Sequence, residues 1–258
     1  MTDQEYFAVK AASYSTLKHG LKSMAHLKFA LNNTIEPTEA MKLGTLVHAA
    51  VLEPDSLFTN YEVAPCDNRA LKAYKEWVQT VPTGKLPVRP KDMELALAMR
   101  DAVYKKPRLK ALLQLEGIVE RPVFWRDSVY GFDCKCKPDK LIPQAGIILD
   151  LKTCLDASED AFQKTIVNYG YHLQALHYLT GLEGTPYKQF VILAVEKSAP
   201  YECAAYEIGE EWLEAARIQW NTVLEKYAKA TKENKWQGYP DKIIESLPPR
   251  WMNTQTDA

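Results

Sequence analysis

The stretch GIILDLKTC, Gly146 to Cys154, constrains the fold of this chain more than any other. Ile147, Ile148 and Leu149 form the short apolar run of a strand buried on both faces. That run leads straight into Asp150 and Lys152. Side chains alternate along a strand, so Asp150 and Lys152 share one face while Leu149 and Leu151 point the other way. A carboxylate and an ammonium at the end of such a strand need a partner, solvent or a metal.

The surrounding sequence predicts where this strand sits. The first half reads as helical. YSTLKHGLKSMAHLKFAL carries Leu17, Leu21, Met24, Leu27 and Leu31 at spacings of three and four, with Ser13 or Ser15 as N-cap. TEAMKLGTLVHAAVLEP reads as a second helix stopped at Pro54, NRALKAYKEWVQT as a third, and RPKDMELALAMRDAVYK as a fourth opening at Pro90. VPTGKLPVRP reads as a Pro-rich, basic connection. The texture changes near Gly117. IVERPVFWRD and VYGFDCKCKPDKLI read as a hairpin turning around Asp127 and Ser128, followed by AGIILDLKT as the next strand. A long helix is expected from about Ser158 to Leu182, then the strands YKQFVILAVEK and YECAAYEIG. A closing amphipathic helix should carry Trp212, Ala216, Gln219, Val223 and Tyr227 near one face. This order predicts a mixed α/β core, its central sheet flanked by helices.

Bulk properties remove several function classes. The 258 residues carry a net charge of −1, so no global positive field advertises nucleic-acid binding, although 32 Lys and Arg leave room for a local basic groove. No apolar run approaches a membrane span and MTDQEYFAVK lacks a signal-peptide core, which predicts a cytoplasmic protein without membrane partners. The five cysteines include no CxxC pair. Cys134 and Cys136 read as small core residues, and a structural zinc or iron–sulfur site is not expected.

Three acidic-x-Lys triplets occur, at Asp133–Lys135, Asp150–Lys152 and Glu233–Lys235. The last falls at a polar helix end, and the first mid-hairpin with no second acid beside it. Asp150 differs because KPDKLI places Asp139 eleven positions upstream, and a turn at Pro143 to Gly146 would bring the two strand ends together. Two carboxylates and a lysine there make a hard-oxygen site for Mg²⁺ or Mn²⁺, with Lys152 orienting a water or stabilising developing charge. Spacing alone equally accommodates a surface Asp150–Lys152 ion pair with Asp139 as a turn residue. On the following helix one stripe runs Phe162, Ile166, Tyr169, Leu173, Leu176 and Thr180 toward the sheet. A second runs Val167, Tyr171, Gln174 and Tyr178, with Gln174 and Tyr178 one turn apart. Those two could face a phosphate or base, or pack at a core edge with Gln174 exposed. His48, on an otherwise apolar helix, reads as a core histidine unless the helix crosses the open sheet end and recruits it to a metal.

Together these residues resemble the PD-(D/E)xK nuclease superfamily: KPDKLI supplies the first acid and ILDLKT the Asp-x-Lys. The closer similarity is to the RecE-type exonucleases (exonuclease VIII) of prophage recombination systems. It is carried by GTLVHAAVLEP, CKCKPDKLIP, ILDLKT, YGYHLQALHY with its Gln-x-x-x-Tyr, and a terminal SLPPRW, in order from about residue 13 to 251. The resemblance implies a restriction-endonuclease-like core. Residues 1–258 would form one nuclease domain, with 1–115 mainly helical and contributing His48, and 116–258 forming the catalytic core and C-terminal helix. His48, Asp139, Asp150 and the Leu151 carbonyl would hold the metal, and Lys152 would act on the attacking water. Gln174, Tyr178 and Tyr171 would contact the substrate. Many superfamily relatives have Glu where Asp150 stands, and this group accepts Asp.

The implied activity is digestion of the 5′-ended strand of linear double-stranded DNA, leaving a 3′ overhang for a RecT-like single-strand annealing partner. The implied setting is the cytoplasm of a bacterial host, with a phage-derived gene. RecE-like members assemble into rings, so a homotetramer is expected. Encircled DNA needs only a locally positive channel, for which Arg69, Lys72, Lys75, Lys85, Arg89 and Lys91 are candidates, although a solvated surface explains them equally. Two alternatives stay open: another PD-(D/E)xK endonuclease or repair nuclease, and a catalytically inert DNA-binding module on the same scaffold.

Overall fold

The structure is a computed structural model describing residues 1–33 and 36–248. A buried apolar strand needs paired neighbours and two covering layers, and both are present. Strand β8 (Ile147–Cys154) lies in a five-stranded sheet ordered β10-β9-β8-β7-β4. Its members are β4 (Ile118–Val119), β7 (Lys140–Ile142), β9 (Gln189–Glu196) and β10 (Cys203–Glu207). β8 and β9 run parallel and the other neighbours antiparallel, so the sheet is mixed.

Helices cover both faces. On one side Leu149 and Leu151 pack against Leu46, Val47 and Val51 of α4 (Glu39–Leu52), with Met99 and Val103 of α7 (Pro90–Lys105) behind them. On the other, Ile148 and Ile192 meet Phe162 and Ile166 of α9 (Glu159–Tyr169) and Ala175 of α10 (Tyr171–Gly181). Losing a buried aromatic such as Phe162 would cost about 3–5 kcal/mol. The Thr38 hydroxyl caps α4 by accepting from the Met41 amide, and Pro90 opens α7 at its first turn, where no backbone donor is missed. Helix α11 (Glu210–Glu233) buries Leu213, Ala216, Trp220 and Val223. Gln219, expected on that face, is exposed.

Several expected elements are subdivided. The first helix is three pieces: α2 (Tyr14–Leu17), a 3₁₀ turn (Lys18–Leu21) and α3 (Met24–Asn32). Ser13 and Ser23 each cap a separate start, so one periodic pattern spans two caps. The expected hairpin strands also divide. β5 (Val123–Arg126) and β6 (Asp133–Cys136) pair in a smaller sheet with β1 (Ala12–Ser13), whereas their continuations β4 and β7 belong to the large one. The hairpin turn falls at Asp127, whose carboxylate accepts from the Val129 and Tyr130 amides. The basic connection contains β3 (Leu86–Val88), paired with β2 (Tyr61–Val63). Short connecting helices are α1 (Asp3–Ala8), α5 (Leu57–Asn60), α6 (Lys72–Val78) and α8 (Pro107–Gln114). Cys134 and Cys136 are buried free thiols. No described helix is long and apolar enough to cross a membrane.

Candidate active site

The ladder between β7 and β8 assembles the acids. Lys140 pairs with Leu149, so the residue before Lys140 stands opposite the residue after Leu149. Those residues are Asp139 and Asp150. The return between the strands is a 3₁₀ turn at Pro143–Ala145 ended by Gly146 at φ +66°. Asp139 Oδ2 accepts from the Leu151 amide at 2.7 Å, which locks its carboxylate across the strand pair.

His48 reaches the same place from α4. It sits beside the buried stripe Leu46, Val47, Ala50 and Val51, so seating that stripe on the sheet aims the imidazole at the strand end. Its Nδ1 lies 3.4 Å from Asp139 Oδ2 and its Nε2 is 2.8 Å from the Leu151 carbonyl. With an oxygen at each nitrogen the ring is matched as an imidazolium, and a cation would bind it only by taking the place of one of those protons. Burial pulls its pKa down, but the Asp139 carboxylate outweighs that and holds it above the ordinary value. For Asp139, burial pushes upward, yet His48, Lys152 and the Leu151 amide together keep it below the usual carboxylate range.

Asp150 is the most enclosed member, 1% exposed. Burial pushes its carboxyl up to about 6, against the pull of Lys152. Oδ1 accepts from Gln174 Nε2 at 2.7 Å. Oδ2 lies 2.5 Å from Lys152 Nζ, yet it is buried without a hydrogen bond of acceptable direction. The contact is therefore a close ion pair without hydrogen-bond direction. Burial opposes the charge on Lys152, but Asp150 and Asp139 hold its pKa above the ordinary value. At neutral pH Lys152 is an ammonium, which donates and stabilises negative charge but takes no proton.

The helix behind completes the site. Gln174 is 6% exposed rather than solvated, because Gly170 ends α9 and starts α10 in a new phase. Tyr178 bonds Gln174, and its ring meets Phe190 edge-on at 5.8 Å. Both line a cleft, and Gln174 holds Asp150 in place. Tyr171 lies under Lys152, with Nζ 5.1 Å from the ring centre. Thr180, expected to face the sheet, is exposed after this change of phase, and Tyr169, also expected there, is exposed at the last turn of α9, beyond the buried Phe162 and Ile166.

Sequence reasoning missed Glu120. Its carboxylate, His48 and Asp139 offer ligand atoms within 4.8 Å of one another. Its backbone has φ +52°, its amide donates to the Asp139 carbonyl, and its carboxylate pairs with Lys137. Nothing in the spacing of VERP marks it.

The donor set suits a hard divalent cation. The carboxylates of Asp139 and Glu120, the His48 imidazole and the Leu151 carbonyl meet here. The buried Asp150 is outside the set whose ligand atoms lie within 4.8 Å of one another, and its Oδ2 is without a directed hydrogen-bond partner. Asp139, Asp150, the Leu151 carbonyl and His48 would hold it, with Glu120 adjacent. The suggested channel lining is of another character. Arg69 pairs with Glu39, Lys72 with Glu76, Lys85 with Glu62 and Arg89 with Asp92, so these four meet carboxylates within the chain.

Comparison with known proteins agrees with this fold. The family model described as "PDDEXK-like domain of unknown function (DUF3799)" matches residues 13–244. A solved structure from Eubacterium rectale, described as a "putative exonuclease", superposes over 100% of this chain and 99% of its own, with a TM-score of 0.63 at 16% identity. At that identity the likeness speaks for the fold alone. The structure of SSO0001 aligns with a TM-score of only 0.31 at 15% identity, over 91% of this chain and 87% of its own, and carries no argument. No curated protein sequence matches the chain. The terminal SLPPRW runs beyond residue 248 and so lies partly outside the described residues. With a family match across nearly all of its length and a mixed sheet between helices, the chain belongs to the PDDEXK-like DUF3799 family and has the PD-(D/E)xK nuclease fold.

Proposed function

We propose that this protein is a metal-dependent exodeoxyribonuclease, digesting the 5′-ended strand of linear duplex DNA to leave 3′ overhangs for a single-strand annealing partner. The observation that carries the reading is the convergence of Asp139, Asp150, Lys152 and His48 at one strand end. A bound Mg²⁺ or Mn²⁺ would polarise the scissile phosphate and lower the pKa of a water. Asp139, Asp150, His48 and the Leu151 carbonyl would hold the cation. Lys152, kept protonated by its acidic neighbours, orients the attacking water and stabilises charge growing on the phosphate. Gln174 and Tyr178 keep Asp150 in register and, with Tyr171, border the cleft that the DNA enters. Strand polarity, the annealing partner, a homotetrameric ring and a bacterial cytoplasmic setting follow from the RecE-type resemblance.

The test compares end-labelled linear duplex with covalently closed circles in Mg²⁺. Wild-type protein should release nucleotides from the 5′ label and spare the circles, while Asp150→Asn and Lys152→Ala lose digestion yet keep their circular dichroism spectra. Cleavage of closed circles would make it an endonuclease. Retained digestion in either variant would remove the mechanism.

A further inference from the structure

Two clefts flank Lys152. One, about 380 Å³, is lined by Lys18, Lys135 and Lys137 with the hydroxyls of Ser13 and Ser15. The other, about 420 Å³, is lined by Lys197, Thr153, Thr165 and Asp156 together with Met41 and Leu155, both exposed apolar side chains. Both clefts join cations and hydroxyls, which suit a phosphate backbone, to aromatic or apolar surface, which suits base faces. Lys152, Tyr169 and Tyr171 line both clefts, so the boundary between them runs through these three residues.

Tyr169 is the unusual member. It is 63% exposed, yet its mount is fixed. Its ring stacks on Tyr171, with centroids 5.7 Å apart and planes 18° from parallel, and Tyr171 in turn faces the Lys152 ammonium. Its backbone lies at the α9–α10 elbow, where the Tyr14 hydroxyl reaches the Tyr169 carbonyl at 2.7 Å and the Gly170 carbonyl at 2.8 Å. A large aromatic side chain left to solvent on a clamped backbone is a preformed stacking surface, because little ordering entropy remains to be lost when a planar partner arrives.

We propose that Tyr169 is the platform on which the nucleobase next to the reacting phosphodiester stacks, holding that base away from its complement at the boundary of the two clefts. This rests on the nuclease reading and adds a substrate preference, for ends whose terminal pair opens readily. Tyr169 is a positioning residue here, acting on the base while Asp150 and Lys152 address the phosphate.

The experiment uses the full chain and duplexes bearing 2-aminopurine at the 5′-terminal nucleotide, whose fluorescence reports stacking. Digestion is measured with Tyr169→Ala, Tyr169→Phe and wild type, and fluorescence is read with the same substitutions in a Lys152→Ala background. Tyr169→Ala should lose about tenfold or more in kcat/KM, lose the bound-state fluorescence signature, and be rescued by a frayed or mismatched terminal pair. Tyr169→Phe, which keeps the ring, should match wild type in all three. Equal signatures and rates for Tyr169→Ala and wild type would overturn the proposal, as would a Tyr169→Phe variant as impaired as the alanine. If wild-type protein digests no DNA end, the nuclease reading itself fails and this inference falls with it. Digestion that is indifferent to the ring strikes the platform alone.

Discussion

At the residue scale the site is a balance of opposed charges in a dry place. Asp150 alone would be costly to bury as an anion, which is why its carboxyl is pushed up to about 6. Lys152 supplies charge and Gln174 supplies direction. The two are not equivalent, because the ammonium meets Oδ2 as an ion pair without hydrogen-bond alignment, while the amide fixes Oδ1. Gln174 therefore serves the cation site through Asp150. The variant Gln174→Leu keeps most of the volume and removes the donor, so Mn²⁺ affinity should fall about 10–100-fold while the circular dichroism spectrum stays the same. A leucine variant that binds Mn²⁺ as tightly as wild type would deny Gln174 this role. The acids and the lysine were readable in the sequence because a strand's period of two and a short turn fix both their face and their opposition. Glu120 was not, since its approach depends on the chain crossing between two sheets.

At the scale of elements, the elbow between α9 and α10 organises one wall of the site. Apolar spacing from Phe162 to Leu176 reads as one helix, and the pattern persists across the break. Gly170 interrupts it at φ +70°, and a Cβ there would lie 2.7 Å from the Tyr14 hydroxyl. Both backbone strain and that contact oppose any larger residue. Gly170→Ala should destabilise the fold by about 1–2 kcal/mol from the left-handed backbone alone, read as a lower denaturation midpoint. An unchanged midpoint would show that the elbow is not under this constraint. The divided hairpin has a related cause. Alternation continues through residues 118–126 and 133–142, but positive φ at Glu120 and the Lys137–Asp139 link move the chain from one sheet to the other. Periodicity reports which residues are apolar and says little about which sheet receives them. The strand Leu86–Val88 was hidden for another reason: it is three residues long, contains a proline, and takes its identity from its pairing with β2.

At the scale of the whole molecule, charge is distributed to serve a cleft rather than a surface. A net charge of −1 gives no long-range attraction, and four of the six basic residues suggested as a channel lining are paired with carboxylates. The cations beside the acids are Lys18, the neighbouring pair Lys135 and Lys137, and Lys152, three separate stretches of sequence that meet through the fold. Lys135 is itself buried and donates to the Tyr6 and Val9 carbonyls, tying the N-terminal segment to the core beside the cleft. The central claim is that this assembly seats a divalent cation on Asp150 and its neighbours. Calorimetric titration of the full chain with Mn²⁺, alongside Asp150→Ala, tests it most directly. Saturable binding by wild type that Asp150→Ala loses is the predicted result, and superimposable isotherms for the two proteins would contradict it.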